Sequence, residues 1–147
     1  MAEINLSQKE ADSLIAMEKV LSSGKAIVLP SSGRKITLNC FSADKKEEFI
    51  LDCARGSIKL SKISHQIRAR KVVPLVRLDI DSSPHLNPDG EWISGSHIHI
   101  YRAGYADKYA YEIPEDFKNL SDMTLTFRDF MAYCNIKNIP DITAELF

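Results

Sequence analysis

The sequence predicts an α+β fold in which an antiparallel β-sheet of five to seven strands accompanies an N-terminal and a C-terminal helix. Apolar residues recur at helical spacing near both ends of the chain, and the middle alternates with period two between Gly- and Pro-containing turns. The 147 residues fit one domain, residues 1–147, since domains of about 150 residues are usual. We expect helices at about 7–22 and 126–136 and the sheet at about 26–113.

The first helix is predicted to begin at a capping box. Ser7 and Glu10 have the S-x-x-E spacing in which each side chain caps a backbone amide of the other residue. Apolar residues follow at helical spacing as far as Leu21, and the Ser-Ser-Gly sequence at 22–24 ends the pattern. Near the other end, Thr126 is the predicted cap of a second amphipathic helix, which Pro140 follows.

Seven segments between the helices have the pattern of strands, with residues of alternating polarity or a short apolar run. They are 26–29, 34–41, 48–53, 62–70, 75–81, 96–102 and 109–113. The stretch 82–95 contains two prolines and two glycines, and we expect it to be a loop.

Composition narrows the class of protein. No apolar run approaches the ~18 residues of a membrane span, and the polar, acidic start does not resemble a signal peptide. The three cysteines are an odd number without a C-x-x-C pair, which favours reduced, buried thiols. We therefore expect a cytoplasmic protein with no membrane partner.

Positive charge is concentrated in one part of the chain, although the net charge is −1. Residues 54–78 contain seven Lys or Arg and no Asp or Glu, which leaves 12 basic and 20 acidic residues elsewhere. Alternation from 62 to 70 puts Arg68 and Arg70 on the polar face of a strand. This segment is a candidate phosphate-binding surface, and the alternative is a solvated strand face.

A histidine-rich block follows the basic segment. His97, His99 and Tyr101 share one face of a predicted strand, because Ile98 alternates with them toward the core. His85 lies in the preceding loop, so three of the four histidines fall within 15 residues. Histidines titrate near neutral pH and can supply both an acid and a base.

Three interpretations of this cluster remain open. The histidines could be structural, or H-x-H with a third His or Asp79 could bind zinc or iron, or the cluster could perform metal-independent phosphodiester chemistry. We adopt the third interpretation, with no metal and no cofactor. The predicted catalytic residues are His85, His97, His99 and Tyr101. The predicted phosphate-binding residues are Arg68, Arg70, Arg77 and Lys108.

The block resembles the TumE-like toxins of bacterial toxin–antitoxin pairs over about residues 45–102. The matching motifs are the R-x-D sequence at 77–79, the Pro-His pair at 84–85 and the H-x-H at 97–99. That family tends to have consecutive histidines, whereas here Leu86 follows His85 and Ile98 separates the other two. The resemblance implies a small ribonuclease-like fold that cleaves or modifies RNA and is held by an antitoxin.

The sequence thus predicts a ribonuclease-like protein, a toxin or mobile-element effector, that acts on RNA through histidine acid–base chemistry. Its expected partners are RNA and an antitoxin or host-defence protein, and a homo-oligomer is left open. The alternative is a non-catalytic inhibitor or binding module of phage or prophage type, which uses a basic sheet face to bind nucleic acid or an acidic protein.

Overall fold

The computed structural model describes residues 5–144 and confirms the α+β class. The helices are α1 (Gln8–Ala16) and α2 (Met123–Tyr133). The strands of the first half are β1 (Lys19–Leu21), β2 (Ile27–Leu29), β3 (Lys35–Ser42), β4 (Glu48–Arg55) and β5 (Ile63–Ala69). The remaining strands are β6 (Val73–Ile80), β7 (His85–Leu86), β8 (Trp92–Ile93), β9 (His97–Ile100), β10 (Ala110–Tyr111) and β11 (Ile142–Ala144).

Seven strands form one antiparallel sheet in the order β1-β3-β4-β5-β6-β9-β10. Strands β7 and β8 form a separate antiparallel ribbon, and β2 pairs with β11 in parallel. Neither helix of the described residues is long and apolar enough to cross a bilayer.

The first helix is shorter than the predicted 7–22. Its capping box is present as predicted, with the Ser7 hydroxyl accepting from the Glu10 amide and the Glu10 side chain accepting from the Ser7 amide. The helix ends at Ala16, however, and Val20 and Leu21 pair with β3 as part of a strand. Their apolar spacing also fits a helix, but pairing with Cys40 and Phe41 decides the local structure.

The second helix begins three residues earlier than predicted. Its N-cap is Asp122, whose carboxylate accepts hydrogen bonds from the amides of Thr124 and Leu125. The predicted cap, Thr126, is instead buried inside the helix and donates its hydroxyl to the carbonyl of Asn119. Both residues are good caps, and the choice depends on this tertiary contact.

Three predictions for the region between the helices also need correction. The predicted loop 82–95 contains the β7–β8 ribbon, and the predicted strand 109–113 is reduced to the two residues of β10. Pro74 lies inside β6 rather than before it, opposite Arg68. The register shifts next to that pair, and such an irregularity accommodates a proline that has no amide hydrogen to donate.

The sheet has one apolar and one polar face. The apolar face includes Leu51, Ile67 and Leu78 and joins both helices in one core. His65 also lies on this face, where its ring stacks on Phe127 of α2 at a centroid distance of 4.8 Å. The polar face is therefore the one on which the sequence predicts the functional residues.

Candidate active site on the polar face of the sheet

Strand register brings the central residues of the site together. His99 pairs with Arg77 across β9 and β6, and His97 pairs with Asp79. Side chains of paired residues point to the same side of a sheet, so these four lie side by side on the polar face. Ile98 is buried on the opposite face, as predicted from the alternation.

His85 joins this pair from the β7–β8 ribbon. Its ring centroid is 4.8 Å from that of His99 and 5.7 Å from that of His97, while the His97 and His99 centroids are 4.9 Å apart. One nitrogen from each ring lies within 4.8 Å of the other two. The structure thus assembles the three predicted histidines, which we call the histidine cluster.

The outer nitrogen of each ring contacts a backbone carbonyl. His85 Nε2 is 2.7 Å from the oxygen of Lys108, His97 Nδ1 is 2.8 Å from that of Gly95, and His99 Nδ1 is 2.8 Å from that of Asp107. A carbonyl oxygen only accepts, so each of these nitrogens carries the hydrogen of its ring. In the neutral imidazoles, the other nitrogen of each ring therefore bears a lone pair.

Asp79 supplies a carboxylate next to two of the lone pairs. Its Oδ2 atom is 3.5 Å from His97 Nε2 and 3.3 Å from His99 Nε2, and its Oδ1 atom accepts from the Ser64 hydroxyl. Burial opposes ionisation of Asp79, but His99, the Arg77 guanidinium and Ser64 outweigh it and hold the pKa of this carboxyl well below its ordinary value. Asp79 is therefore ionised at neutral pH.

The cluster is largely protected from water. His97 and His99 expose only 2% and 1% of their surface, whereas His85 is half-buried. Burial, together with the neighbouring rings of His99 and His85, lowers the pKa of His97 despite its bond to Gly95, so this ring is neutral at pH 7. Only His85 presents part of its ring to solvent.

A pocket of about 230 Å³ opens over the cluster. It is lined by the three histidines together with Arg77, Asp79 and Lys62, and by the Ser-Ser-Pro segment 82–84. The Arg77 guanidinium is held between Asp79 and Asp107 at 3.2 and 2.7 Å. Its position at the pocket agrees with the sequence prediction.

A larger groove adjoins this pocket, with a volume of about 710 Å³. Lys62 and residues 82–84 line both depressions, and the groove also contains Arg55 and Lys59. Lys59 is paired with Asp81 at 2.8 Å. The positive residues nearest the cluster are therefore Arg77 and Lys62, with Arg55 and Lys59 farther along the groove.

Three predicted site residues do not join the pocket. Tyr101 is buried in the core, and its hydroxyl exchanges hydrogen bonds with the backbone of Leu6 at 2.9 and 3.0 Å. Arg68 Nε donates a hydrogen bond to Asp52 at 2.7 Å, and Arg68 Nη1 donates one to the Lys71 carbonyl. Arg70 follows the end of β5 and lies 3.9 Å from Glu10 and 3.7 Å from Glu47. The structure therefore does not bring Tyr101, Arg68 and Arg70 to the pocket, and their predicted roles in the site have no support from this geometry.

The structure links Lys108 to the histidine cluster through its backbone, and the predicted phosphate-binding role of its side chain stays a prediction. Its side chain is exposed, while its carbonyl accepts the hydrogen bond from His85. Sequence reasoning also missed Lys62, Ser64 and Asp107 as site residues. Lys62 and Ser64 belong to the polar series that alternates from 62 to 70, so a signal for them was present. Asp107 belongs to the site through its ion pair with Arg77, and the two residues are 30 positions apart in the sequence, so no local pattern predicts their contact.

These features define an α+β protein with a three-histidine pocket on the polar face of an antiparallel sheet. By sequence, the chain belongs to DUF6978, a family of unknown function, and the match extends over residues 6–136. No curated protein and no solved structure matches the chain. The resemblance to TumE-like toxins stays a prediction.

Proposed function

We propose that the protein cleaves RNA at the histidine cluster. The observation that carries this proposal is the convergence of three imidazoles in a pocket whose rim carries Arg77 and Lys62. Imidazoles exchange protons near neutral pH, and cationic side chains stabilise the charge that develops on a phosphate. These are the groups that phosphodiester cleavage needs.

The reaction is a transesterification within the ribose phosphate. A basic group at the cluster takes the proton of a ribose 2′-hydroxyl, and that oxygen forms a bond to phosphorus. The bond from phosphorus to the 5′-oxygen breaks, and an acidic group at the cluster gives the leaving oxygen a proton. The products are a 2′,3′-cyclic phosphate and a free 5′-hydroxyl. His85 is the best candidate for proton exchange with substrate, because it alone among the three rings is partly exposed.

The basic groove favours an extended anionic substrate over a small molecule. It continues from the pocket through Lys62 toward Arg55 and Lys59, and it is about three times as large as the pocket. A phosphate in the pocket and the next one along the strand would both have cationic neighbours. Such phosphate contacts give affinity that falls as the salt concentration rises.

The test measures cleavage of a short single-stranded RNA by purified protein, in parallel with Zn²⁺ and with EDTA. We expect cleavage with 2′,3′-cyclic phosphate ends, and none of a strand that carries 2′-deoxyribose throughout. His85→Gln, purified in the same way, should lose at least ~10-fold of the activity, equivalent to about 1.4 kcal/mol of barrier. Equal cleavage by wild type and His85→Gln would identify a contaminating nuclease and overturn the proposal.

A second pair of variants tests the groove. Lys62→Gln should weaken RNA binding and lower the slope of log affinity against log salt by about 1. Lys25→Gln removes the same charge from an exposed residue next to β2 and should leave both quantities unchanged. Salt-sensitive RNA binding without cleavage under either condition would instead support the non-catalytic alternative.

A further inference from the structure

We infer that the histidine cluster is a binding site for one divalent transition-metal ion, with zinc the best match. The inference concerns the same pocket as the proposed function but does not depend on RNA as the substrate. From the sequence alone, a metal is one alternative for these residues, and metal-independent chemistry is the one predicted above. The arrangement of the ring nitrogens now favours the metal.

The outer nitrogens of the three rings have the contacts that are typical of metal-binding histidines. Each of the three rings gives its N–H to a backbone carbonyl at 2.7 or 2.8 Å. Metal-binding histidines nearly always use their second nitrogen in this way, which fixes the tautomer and makes the ligating nitrogen more basic. One such contact is common in any protein, but here it recurs in all three rings of one cluster.

The inner nitrogens of His97 and His99 lie close to the negatively charged Asp79. His99 Nε2 is buried and has no hydrogen-bond partner among residues 5–144, yet it lies 3.3 Å from Asp79 Oδ2. His97 Nε2 lies 3.5 Å from the same oxygen. Arg77 lies 3.2 Å from the same oxygen and balances the charge of the carboxylate, but it does not pair the two ring nitrogens. A proton on one ring would join only that ring to Asp79, whereas a metal ion would bind both ring nitrogens and Asp79 together.

The distances are compatible with an ion after a small adjustment. Three nitrogens that are no more than 4.8 Å apart would each lie at most about 2.8 Å from a central ion, against the ~2.0–2.1 Å of a Zn–N bond. Each ring must therefore approach by at most about 0.7 Å. His85 has the freedom to do so, because it is half-buried and belongs to the short β7–β8 ribbon.

The donor set selects the kind of metal. Three imidazoles suit Zn, Cu, Fe or Ni, whereas Mg²⁺ and Ca²⁺ prefer oxygen ligands. Three protein nitrogens with a fourth position toward a pocket are the pattern of catalytic zinc sites. Asp79 either completes the coordination or accepts from a water on the ion. With an ion bound, His85 would be a ligand rather than the proton carrier considered above, and the ion would supply Lewis-acid chemistry at the same pocket.

The experiment measures the metal itself. The full chain is stripped with a chelator, incubated with Zn²⁺, gel-filtered and analysed for zinc content. We expect about one zinc per chain, a higher melting temperature with zinc, and an intense visible absorption band when Co²⁺ replaces zinc. His85→Ala should weaken metal binding by at least the ~10–100-fold that loss of an outer-shell partner costs.

A matched control comes from the fourth histidine. His65→Leu removes an imidazole from the core and should retain one zinc per chain, whereas His85→Ala and Asp79→Asn should not do so under the same washing. Far-UV circular dichroism verifies that each variant is folded. Absence of zinc uptake and of a thermal shift in the wild type would overturn the inference, as would equal zinc affinity in the folded His85→Ala variant.

The outcomes separate this inference from the proposed function. RNA cleavage that persists in EDTA, with no zinc uptake, would overturn the metal site and leave ribonuclease activity standing. Binding of one zinc per chain without RNA cleavage would support the metal site and overturn the proposed ribonuclease activity.

Discussion

The stability of this protein should fall steeply in mild acid because of His65. The ring is fully buried between Phe127 and Phe130, and within the part of the chain that the structure describes neither of its nitrogens has a hydrogen-bond partner. Burial disfavours the charged form and lowers its pKa from 6.5 to about 3, against a smaller opposing effect of Asp79. The folded protein therefore keeps this ring neutral over a pH range in which the unfolded chain protonates it.

The size of the effect follows from the two pKa values. Because the folded pKa lies below the unfolded one, the unfolded state binds more protons between pH 6.5 and pH 3, and stability decreases as the pH falls. Protonation of the unfolded chain alone costs the fold about 2 kcal/mol between pH 7 and pH 5. A further loss continues down to about pH 3, where the folded ring also titrates.

Urea unfolding of wild type and His65→Leu at pH 7, 6 and 5 measures this contribution. The buffer contains a chelator for both proteins, so that neither protein holds a metal ion whose release could change its stability. The other ionisable groups are the same in both proteins, so their contributions cancel in the difference. We expect wild type to lose about 2 kcal/mol more than His65→Leu between pH 7 and pH 5. Parallel losses in the two proteins would refute the reasoning.

Three further predictions concern the fold rather than the pocket, and denaturant midpoints at pH 7 test each of them. Arg68→Ala leaves the nearly buried Asp52 carboxylate without its positively charged partner and should cost about 1–3 kcal/mol, with RNA cleavage per folded molecule unchanged. Ser7→Ala removes half of the capping box and should cost about 1 kcal/mol, while Ser23→Ala, outside any helix, should cost little. Lys19→Met removes three hydrogen bonds of the buried Lys19 ammonium, to the carbonyls of Ile15, Met17 and Cys134, and should cost about 1–3 kcal/mol even though it adds an apolar side chain. No loss in these three variants would show that these contacts do not stabilise the native state.

The sequence predicted the centre of the fold better than its ends. Alternation from 62 to 70 corresponds to β5 within one residue at each end, and the opposite orientations of His97 and Ile98 were predicted correctly. Alternation of polar and apolar residues is a property of one strand, so it can be read from the sequence without knowing the partner strand. Val20 and Leu21 show the opposite case, because their apolar spacing fits both a helix and a strand and only β3 resolves the choice.

The charged residues show why the site was only partly predictable. Sequence shows that Arg68 and Arg77 are both cationic and both on the polar face. It does not show that Asp52 lies beside Arg68 in the folded sheet, since that contact depends on the register between β4 and β5. His85 presents the same difficulty, because the turn of the β7–β8 ribbon determines whether it reaches the other two rings.

The two kinds of histidine in this sheet distinguish a binding site from a core position. His65 and His99 are equally buried, but His65 has no polar partner for either nitrogen and is surrounded by aromatic rings. His99 has one nitrogen held by a carbonyl and the other facing a carboxylate and two further imidazoles. Burial alone would make both rings inert. The fixed outer hydrogen bond orients the lone pair of His99 toward Asp79 and the other two rings, and this orientation supports the chemistry that we propose at the polar face.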